Sequence, residues 1–159
     1  MEYTKAIEID PKYARAYNNR GSAKCSLGDY RGAITDFNKA IEIDPWLLNV
    51  YFSRGSAKSD LGDYRGAIAD FNKAIEINPK ERMPYTNRGI AKFELGDYRG
   101  AIVDYNKALE IDPKERLAYY NRGNAKFRLG DKDGACLDWS KSGELGADLA
   151  YENIRKYCN

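Results

Sequence analysis

The sequence predicts an all-α fold, an α-solenoid of stacked helix-turn-helix hairpins, on two observations. First, the segment Leu27–Ile34 recurs unchanged at Leu61–Ile68 and Leu95–Ile102, so the chain repeats every 34 residues. Second, the apolar residues of each repeat are spaced as they are on one face of an α-helix. A chain with such a period stacks short helical units on one another and buries a continuous core between them.

Each repeat is predicted to contain two helices separated by a glycine turn. The first, helix A, is predicted over Ala14–Leu27, and the second, helix B, over about Tyr30–Ile43. Gly28 ends helix A because glycine enters the left-handed backbone region at little cost, and Asp29 then caps helix B. Pro45 ends helix B because its ring cannot continue the helical hydrogen bonds.

Four columns of residues keep the same step and define the scaffold. They are tyrosine (Tyr17, Tyr51, Tyr85, Tyr119), glycine (Gly21, Gly55, Gly89, Gly123), a large aromatic residue (Phe37, Phe71, Tyr105, Trp139) and proline (Pro11, Pro45, Pro79, Pro113). The predicted divisions are a partial repeat with helix B alone at 1–13, full repeats at 14–47, 48–81, 82–115 and 116–149, and a C-terminal capping helix at 150–159.

This pattern resembles the tetratricopeptide repeat. The 34-residue period, the aromatic residue four positions before a glycine, the Gly-x-Tyr turn and the terminal proline are typical of that family, and the resemblance covers nearly the whole chain. It implies that the hairpins form a right-handed superhelix and that the A helices line its concave surface. It also implies that a partner peptide or helix binds there.

The residues expected to face the concave surface vary from repeat to repeat, while the scaffold columns stay constant. We therefore predict a groove that binds a peptide or a helix of a partner protein. The first two repeats contribute Arg15, Asn18, Asn19, Ser22, Asn49, Phe52, Ser53 and Ser56. The last two contribute Met83, Asn87, Ile90, Phe93, Leu117, Tyr120, Asn121, Asn124, Phe127 and Arg128. The aromatic members of this set are expected to face solvent, since exposed apolar patches usually mark binding sites.

The groove lacks the residues of one well-known binding mode. Chaperone-binding members of the family hold a terminal carboxylate with lysine, asparagine and arginine side chains at five groove positions. Here those positions carry Asn18, Ser22, Ser53, Met83 and Asn87, and none of them matches. Moving the comparison one repeat along gives a single match, at Asn87. The sequence therefore argues against a receptor for chaperone tails of that kind.

Charged residues also recur in step with the repeat. Helix A carries Arg20, Arg54, Arg88 and Arg122, where the family usually has leucine, and helix B carries Asp36, Asp70, Asp104 and Asp138. Arginine can bury its aliphatic stem and give its planar fork to a carboxylate. We predict a ladder of ion pairs with partly buried arginines, which specifies helix register more than it stabilises the fold. The alternative is a cationic stripe that binds phosphate, formed by these arginines together with a second column of helix A, Lys24, Lys58, Lys92 and Lys126.

Both ends of the chain depart from the repeat. Tyr3 aligns with Phe37, so the chain starts inside a helix B whose helix A is missing; either it is cut from a longer protein or another element covers this face. At the other end, 149–158 is predicted to be an amphipathic helix that caps the last repeat. Head-to-tail self-assembly through the two ends is the alternative function. Its candidate residues are Tyr3, Ala6, Ile7, Tyr151 and Ile154.

The composition argues against several other functions. The 159 residues carry a net charge of +2, which gives no strong argument for nucleic acid or an anionic membrane as partner. The chain has no histidine, which removes the commonest general base and most zinc sites. With no phosphate-binding glycine loop or metal-spaced cluster either, the sequence predicts a protein that is not an enzyme and has no cofactor or metal.

The cysteines and the N-terminal residues give evidence about the cellular compartment of the protein. Cys25, Cys136 and Cys158 share no short spacing, and an odd number cannot all pair internally, so we expect reduced thiols. No apolar signal segment follows Met1, and no stretch approaches the roughly 20 apolar residues of a membrane span. We therefore expect a cytoplasmic protein.

Overall fold

The computed structural model describes residues 2–158, which contain ten α-helices and no strand. The first helix is α1 (Glu2–Ile9) and the last is α10 (Asp148–Tyr157). Between them lie four helix pairs: α2 (Ala14–Ser26) with α3 (Tyr30–Ile43), α4 (Leu48–Asp60) with α5 (Tyr64–Ile77), α6 (Arg82–Glu94) with α7 (Tyr98–Ile111), and α8 (Arg116–Arg128) with α9 (Lys132–Glu144). The predicted all-α fold of helical hairpins is confirmed.

The helices form two compact units, Met1–Pro79 and Lys80–Asn159. In the first unit, each helix from α1 to α5 packs on the next one in the chain. In the second unit, the same holds from α6 to α10. Each unit is thus a stack of consecutive hairpins. None of the helices between residues 2 and 158 has the length and hydrophobicity needed to cross a membrane.

The turn inside each hairpin has the chemistry that the sequence predicts. Gly28 has φ of 80°, which places it in the left-handed region and ends α2. The Asp29 side chain then accepts a hydrogen bond from the backbone N–H of Gly32 at 2.9 Å and caps α3. The other hairpins repeat this cap with Asp63, Asp97 and Asp131.

Each hairpin closes around the glycine of its A helix and the aromatic ring of its B helix. A Cβ atom added at Gly21 would lie only 2.7 Å from the Phe37 ring, and Phe37 is 0% exposed. A larger residue than glycine would therefore push the ring out of its place. The remaining hairpins make the same contact with the pairs Gly55–Phe71, Gly89–Tyr105 and Gly123–Trp139.

The C-terminal helix begins at Asp148 and not at residue 150 as the sequence suggested. Counted from this start, α10 follows the pattern of an A helix. Ala150 and Tyr151 are its third and fourth residues, where α8 has Ala118 and Tyr119. Ala150 is 0% exposed, as Ala118 is. The C-terminal helix thus packs on α9 as the first helix of a further hairpin would.

The prediction of reduced thiols was wrong for two of the three cysteines. Cys136 on α9 and Cys158, which follows α10, form a disulfide bond that joins positions 22 residues apart, while Cys25 is free. Cys136 occupies the column of Ile34, Ile68 and Ile102, so it lies on the side of helix B that contacts the following helix. Because two of the three cysteines form a disulfide bond, the cysteines no longer argue for a cytoplasmic location. That location remains a prediction.

Candidate peptide-binding face

The predicted ion pairs are present in every hairpin. Arg20 donates from Nε and Nη2 to the two carboxylate oxygens of Asp36, at 2.9 and 2.6 Å. The arginine side chains of the four pairs are only 17–27% exposed. The other pairs are Arg54–Asp70, Arg88–Asp104 and Arg122–Asp138.

A lysine of helix A completes each pair, which sequence reasoning had not foreseen. Lys24 Nζ lies 2.9 Å from Asp36 Oδ2, and Lys58, Lys92 and Lys126 make the equivalent contact. Burial raises the pKa of the Asp36 carboxyl, but the hydrogen bonds and charges of Arg20 and Lys24 outweigh it and hold that pKa below its usual value. Because both cations of each hairpin bind an aspartate, they do not form a free phosphate-binding stripe.

Two of these arginines also connect successive hairpins. Arg54 Nη1 donates to Asn38 Oδ1 on α3 at 2.7 Å, and Arg122 Nη1 donates to Asn106 Oδ1 on α7 at the same distance. These bonds fix the position of α4 along α3 and of α8 along α7. A fixed position is what a binding face built from several A helices requires.

In the second unit, predicted groove residues of α6 and α8 come together around two cavities. The larger has a volume of about 240 Å³ and is lined by Phe93, Tyr120, Asn124, Phe127 and Arg128, with Trp139, Asn153 and Tyr157. The smaller, of about 120 Å³, is lined by Ile90, Phe93, Asn121 and Asn124, with Glu94 and Tyr105. Phe93 and Asn124 line both cavities, so the two adjoin. We call this surface the α6–α8 face.

The polar groups of the α6–α8 face are held in place by neighbours. Asn124 Oδ1 accepts hydrogen bonds from Trp139 Nε1 at 3.0 Å and from Asn153 Nδ2 at 3.1 Å. Arg128 donates to the Tyr98 hydroxyl at 2.9 Å, and its guanidinium lies over the Phe93 ring, 5.9 Å from the centroid. The face is therefore preorganised, which lowers the ordering cost of binding.

The sequence had suggested that the aromatic groove residues face solvent, but in the structure they pack against neighbouring rings. Phe127 is half-buried, with its ring centroid 4.5 Å from that of Tyr157 and 5.6 Å from that of Trp139. Tyr120 packs against the same cluster. Phe93 contacts the ring of Tyr98, with the centroids 5.1 Å apart. These rings thus support the fold as well as the face.

The other predicted groove residues of α6 and α8 differ in exposure, and Met83, Asn87 and Leu117 line neither cavity. Met83 and Leu117 are 37% and 51% exposed, and Ile90, at the smaller cavity, is 36% exposed. Asn87 is half-buried. The apolar side chains open to a partner are therefore these aliphatic ones rather than Phe127.

In the first unit, only some of the predicted groove residues share a cavity. Arg15, Asn18, Asn19 and Asn49 line a cavity of about 320 Å³ together with Trp46, Leu47, Leu48 and Val50. Asn18 Oδ1 is buried there with no hydrogen-bond partner among the described residues. Sequence reasoning missed Trp46, which is 74% exposed. The signal was its column, where the other repeats have Lys12, Lys80 and Lys114.

The remaining groove residues of the first unit lie outside that cavity. The Ser22 hydroxyl donates to the Asn18 carbonyl of its own helix at 3.0 Å, and the Ser56 hydroxyl donates to the Phe52 carbonyl at 3.1 Å. Phe52 packs on Phe71 with ring centroids 6.0 Å apart. Ser53 is half-buried.

A buried carboxylate joins the two hairpins of the second unit. Glu115 is 7% exposed, accepts a hydrogen bond from Thr86 Oγ1 at 3.1 Å, and lies 2.9 Å from Arg82 Nη1. Burial raises the pKa of Glu115 above its ordinary value, although Arg82 and Thr86 act to lower it. Thr86 stands in the column of Asn18 and Tyr120, so in this repeat a groove position serves packing instead.

The raised pKa of Glu115 predicts a pH dependence of stability of opposite sign to that expected from the lowered pKa of Asp36. A raised pKa in the folded state favours folding below the ordinary pKa of about 4.5, and this contribution is lost as pH rises through the raised value. We expect Glu115→Gln to gain stability relative to the wild type across that interval, as measured by urea denaturation at each pH. A difference between the two proteins that does not change with pH would contradict the assignment.

The residues proposed for self-association are in different environments. Tyr3 is 41% exposed, while Ala6 and Ile7 are half-buried. Tyr151 is 48% exposed, but its hydroxyl donates to the Gly143 carbonyl at 3.2 Å. Ile154 packs into the cluster between α9 and α10. Both ends therefore present an exposed tyrosine, but the hydroxyl of Tyr151 is bonded within the chain.

Comparison with solved structures places this arrangement of helices among known ones. The crystal structure of MamA matches 98% of this chain and 88% of its own chain, with a TM-score of 0.85 and 26% identity. The first TPR of Spaghetti (RPAP3), bound to the HSP90 peptide SRMEEVD, matches 76% of this chain and 96% of its own, with a TM-score of 0.73 and 27% identity. MamA from Desulfovibrio magneticus RS-1 has a TM-score of 0.85 at 22% identity and shares the fold.

Comparison of sequences gives the family. No curated protein matches the chain significantly. A family model described as Tetratricopeptide repeat matches residues 14–47 and 49–81, and a second, described as TPR repeat, matches residues 89–130. Together the matches include residues of all four predicted full repeats. The chain therefore belongs to the tetratricopeptide repeat family.

Proposed function

We propose that this chain is a non-catalytic protein-interaction scaffold that binds a short peptide or a helix of a partner protein on the α6–α8 face. The observation that carries the proposal is the convergence of variable residues from two A helices on adjoining cavities. Constant residues build the hairpins, whereas these variable residues have no role in forming the turns or the ion pairs. Variable residues gathered around shared cavities are what a recognition surface requires.

The size and chemistry of the cavities suit peptide side chains. Their volumes of about 240 and 120 Å³ lie below the roughly 300–1,000 Å³ of small-molecule sites. Aromatic and aliphatic walls can receive an apolar side chain, while the amides of Asn121 and Asn124 can bond a peptide backbone. Arg128 offers its guanidinium to a carboxylate of the partner.

Related structures support a peptide partner but not the same peptide. The RPAP3 repeat domain is bound to an HSP90 peptide. In this chain the five positions of the carboxylate-holding pattern lack the required residues, as Ser53 and Met83 illustrate. We therefore propose a partner with an apolar anchor residue and without dependence on a terminal carboxylate.

A peptide selection tests this proposal. Short random peptides displayed on phage are selected on the wild-type chain, and binders are compared on variants by fluorescence anisotropy. We expect Ile90→Asp to weaken binding about tenfold or more, because it places a charge in the lining of the smaller cavity, beside an apolar anchor. Ile90 is 36% exposed in the free protein, so the fold should tolerate the change.

Leu137→Asp is the matched control. Leu137 is an exposed leucine on helix B of the fourth hairpin, 73% exposed, and lines neither cavity. We expect it to bind the selected peptides as the wild type does. Equal losses for Leu137→Asp and Ile90→Asp, or no loss for either, would contradict binding on the α6–α8 face.

Head-to-tail self-assembly ranks second. The exposed Tyr3 ring favours it, but the packing of Ile154 between α9 and α10 removes one of its candidate residues. Light scattering over a range of protein concentrations separates the two functions. A constant mass near 18.0 kDa supports a monomeric binding module, whereas a mass that rises with concentration supports self-assembly.

A further inference from the structure

Tyr3 on α1 is exposed although its counterparts in the four hairpins are buried. Its exposed fraction is 41%, whereas Phe37, Phe71, Tyr105 and Trp139 are at most 1% exposed. The hairpins explain this difference, because in each of them the glycine of helix A lies directly on the aromatic ring. Among residues 2–158, α1 packs on α2 and has no hairpin partner of its own.

A cavity of about 570 Å³ lies beside Tyr3, between the start of α1 and the end of α2. Leu27 in its lining is 84% exposed, against 45–46% for Leu61, Leu95 and Leu129 in the same column. Apolar surface that is covered elsewhere in the molecule is therefore open here.

Ala23, which also lines this cavity, differs in exposure from its counterparts in the same way as Leu27 does. It is exposed, whereas its counterparts Ala57, Ala91 and Ala125 are at most 1% exposed. We call the surface formed by Glu2, Tyr3, Ala23 and Leu27 the N-terminal face. In the complete hairpins, the residues equivalent to Tyr3, Ala23 and Leu27 are more deeply covered by packed helices.

Glu2 gives the N-terminal face an electrostatic preference. It occupies the column of Asp36 and Asp70, whose carboxylates each bind an arginine and a lysine of helix A. Glu2 makes no ion pair within the described part of the chain, and the cations that share its cavity, Arg20 and Lys24, are bound to Asp36. A complementary occupant therefore brings its own arginine and lysine.

We propose that the N-terminal face binds an amphipathic helix of a partner protein that carries the pattern Arg-Gly-x-x-Lys. The chain itself shows what such a helix does, since Arg54, Gly55 and Lys58 cover the equivalent face of α5. The glycine of the partner helix lies on the Tyr3 ring, and its arginine and lysine bind Glu2. This site is separate from the α6–α8 face.

A second folded copy of the chain does not present such a helix. Four of its A helices carry the pattern, but the glycine of each is already covered by the aromatic ring of its own hairpin. The C-terminal helix α10 has no hairpin partner, yet its eighth residue is Arg155, where α2 has Gly21. The arginine side chain would occupy the space that the Tyr3 ring requires. A second folded copy is therefore not the occupant that we propose.

A synthetic helix tests the proposal on the whole chain. The probe is a labelled peptide with the sequence of residues 48–61, held helical by a lactam bridge on the face opposite Gly55. We expect saturable binding by fluorescence anisotropy. The same peptide with Gly55→Leu should bind about tenfold or more weakly, because its side chain would overlap the Tyr3 ring. Glu2→Gln in the protein should weaken binding about fivefold or more.

Two protein variants are the controls. Glu8→Gln alters an exposed acid of the same helix outside the cavity and should leave peptide binding unchanged. Ile90→Asp should also leave it unchanged, which separates this site from the α6–α8 face. No binding by the helical probe, equal binding of the two peptides, or a loss with Ile90→Asp would each overturn the proposal. So would a concentration-dependent dimer that the probe dissociates, since a second copy would then fill the face.

Discussion

Asp70→Asn is expected to destabilise the first unit by about 2–3 kcal/mol. The Asp70 side chain is 5% exposed and binds Arg54 and Lys58, at 2.5 and 2.8 Å. Asparagine has nearly the same shape, so the substitution creates no cavity. It leaves two partly buried cations with one neutral acceptor. Breaking a fully buried pair on one side costs about 3–5 kcal/mol, and the cost is smaller here because the Arg54 and Lys58 side chains are 18% and 21% exposed. Urea denaturation followed by circular dichroism measures the change.

The same helix provides a control for Asp70→Asn. Glu76 pairs with Lys73 at 2.7 Å, but the two side chains are 64% and 43% exposed, so solvent screens the pair. We expect Glu76→Gln to have the stability of the wild type. An unchanged midpoint for Asp70→Asn, or an equal loss for both variants, would show that the ladder has no special role.

Loss of the Cys136–Cys158 disulfide is expected to destabilise the second unit by about 3 kcal/mol. The bond joins positions 22 residues apart, and closing a loop of that size restricts the unfolded chain by about this free energy. The helix that it holds has one fully buried residue, Ala150, so packing alone fixes α10 weakly. Hydrogen exchange should therefore show faster exchange of the α10 amides in Cys158→Ser than in the wild type.

A redox comparison checks the effect of the disulfide. A dithiol reductant should lower the stability of the wild type but not that of Cys158→Ser, because the variant has no bond to reduce. Cys25→Ser should respond to the reductant as the wild type does, since Cys25 is free. If the reductant leaves the wild type unchanged, the disulfide has no effect on stability.

Much of the scaffold could be predicted because it depends on chemistry that recurs within each repeat. The glycine turns, the aspartate caps, and the fit of a glycine against an aromatic ring each involve residues close in sequence or in a fixed relation within one hairpin. The arginine–aspartate pairs, such as Arg20–Asp36, lie 16 residues apart in every hairpin, so the sequence period makes them visible.

The binding face was harder to predict because burial depends on neighbouring hairpins. Phe127 varies like a groove residue, yet the ring of Tyr157 covers it from a helix that lies outside the full repeats. Thr86 stands at a groove position, but it binds Glu115, which is 29 residues away. Trp46 lies in a loop column where the other repeats have lysine, and only the structure shows that its side chain is exposed.

The sequence by itself determined the class of the fold, the length of the unit, the helix boundaries inside each hairpin and the family. The tertiary structure alone decided which aromatic residues are packed and that Cys136 reaches Cys158. The physical reason is the range of the interactions. Turns, caps and ion pairs form within one repeat, whereas exposure and disulfide pairing depend on how the end of one helix meets the next hairpin.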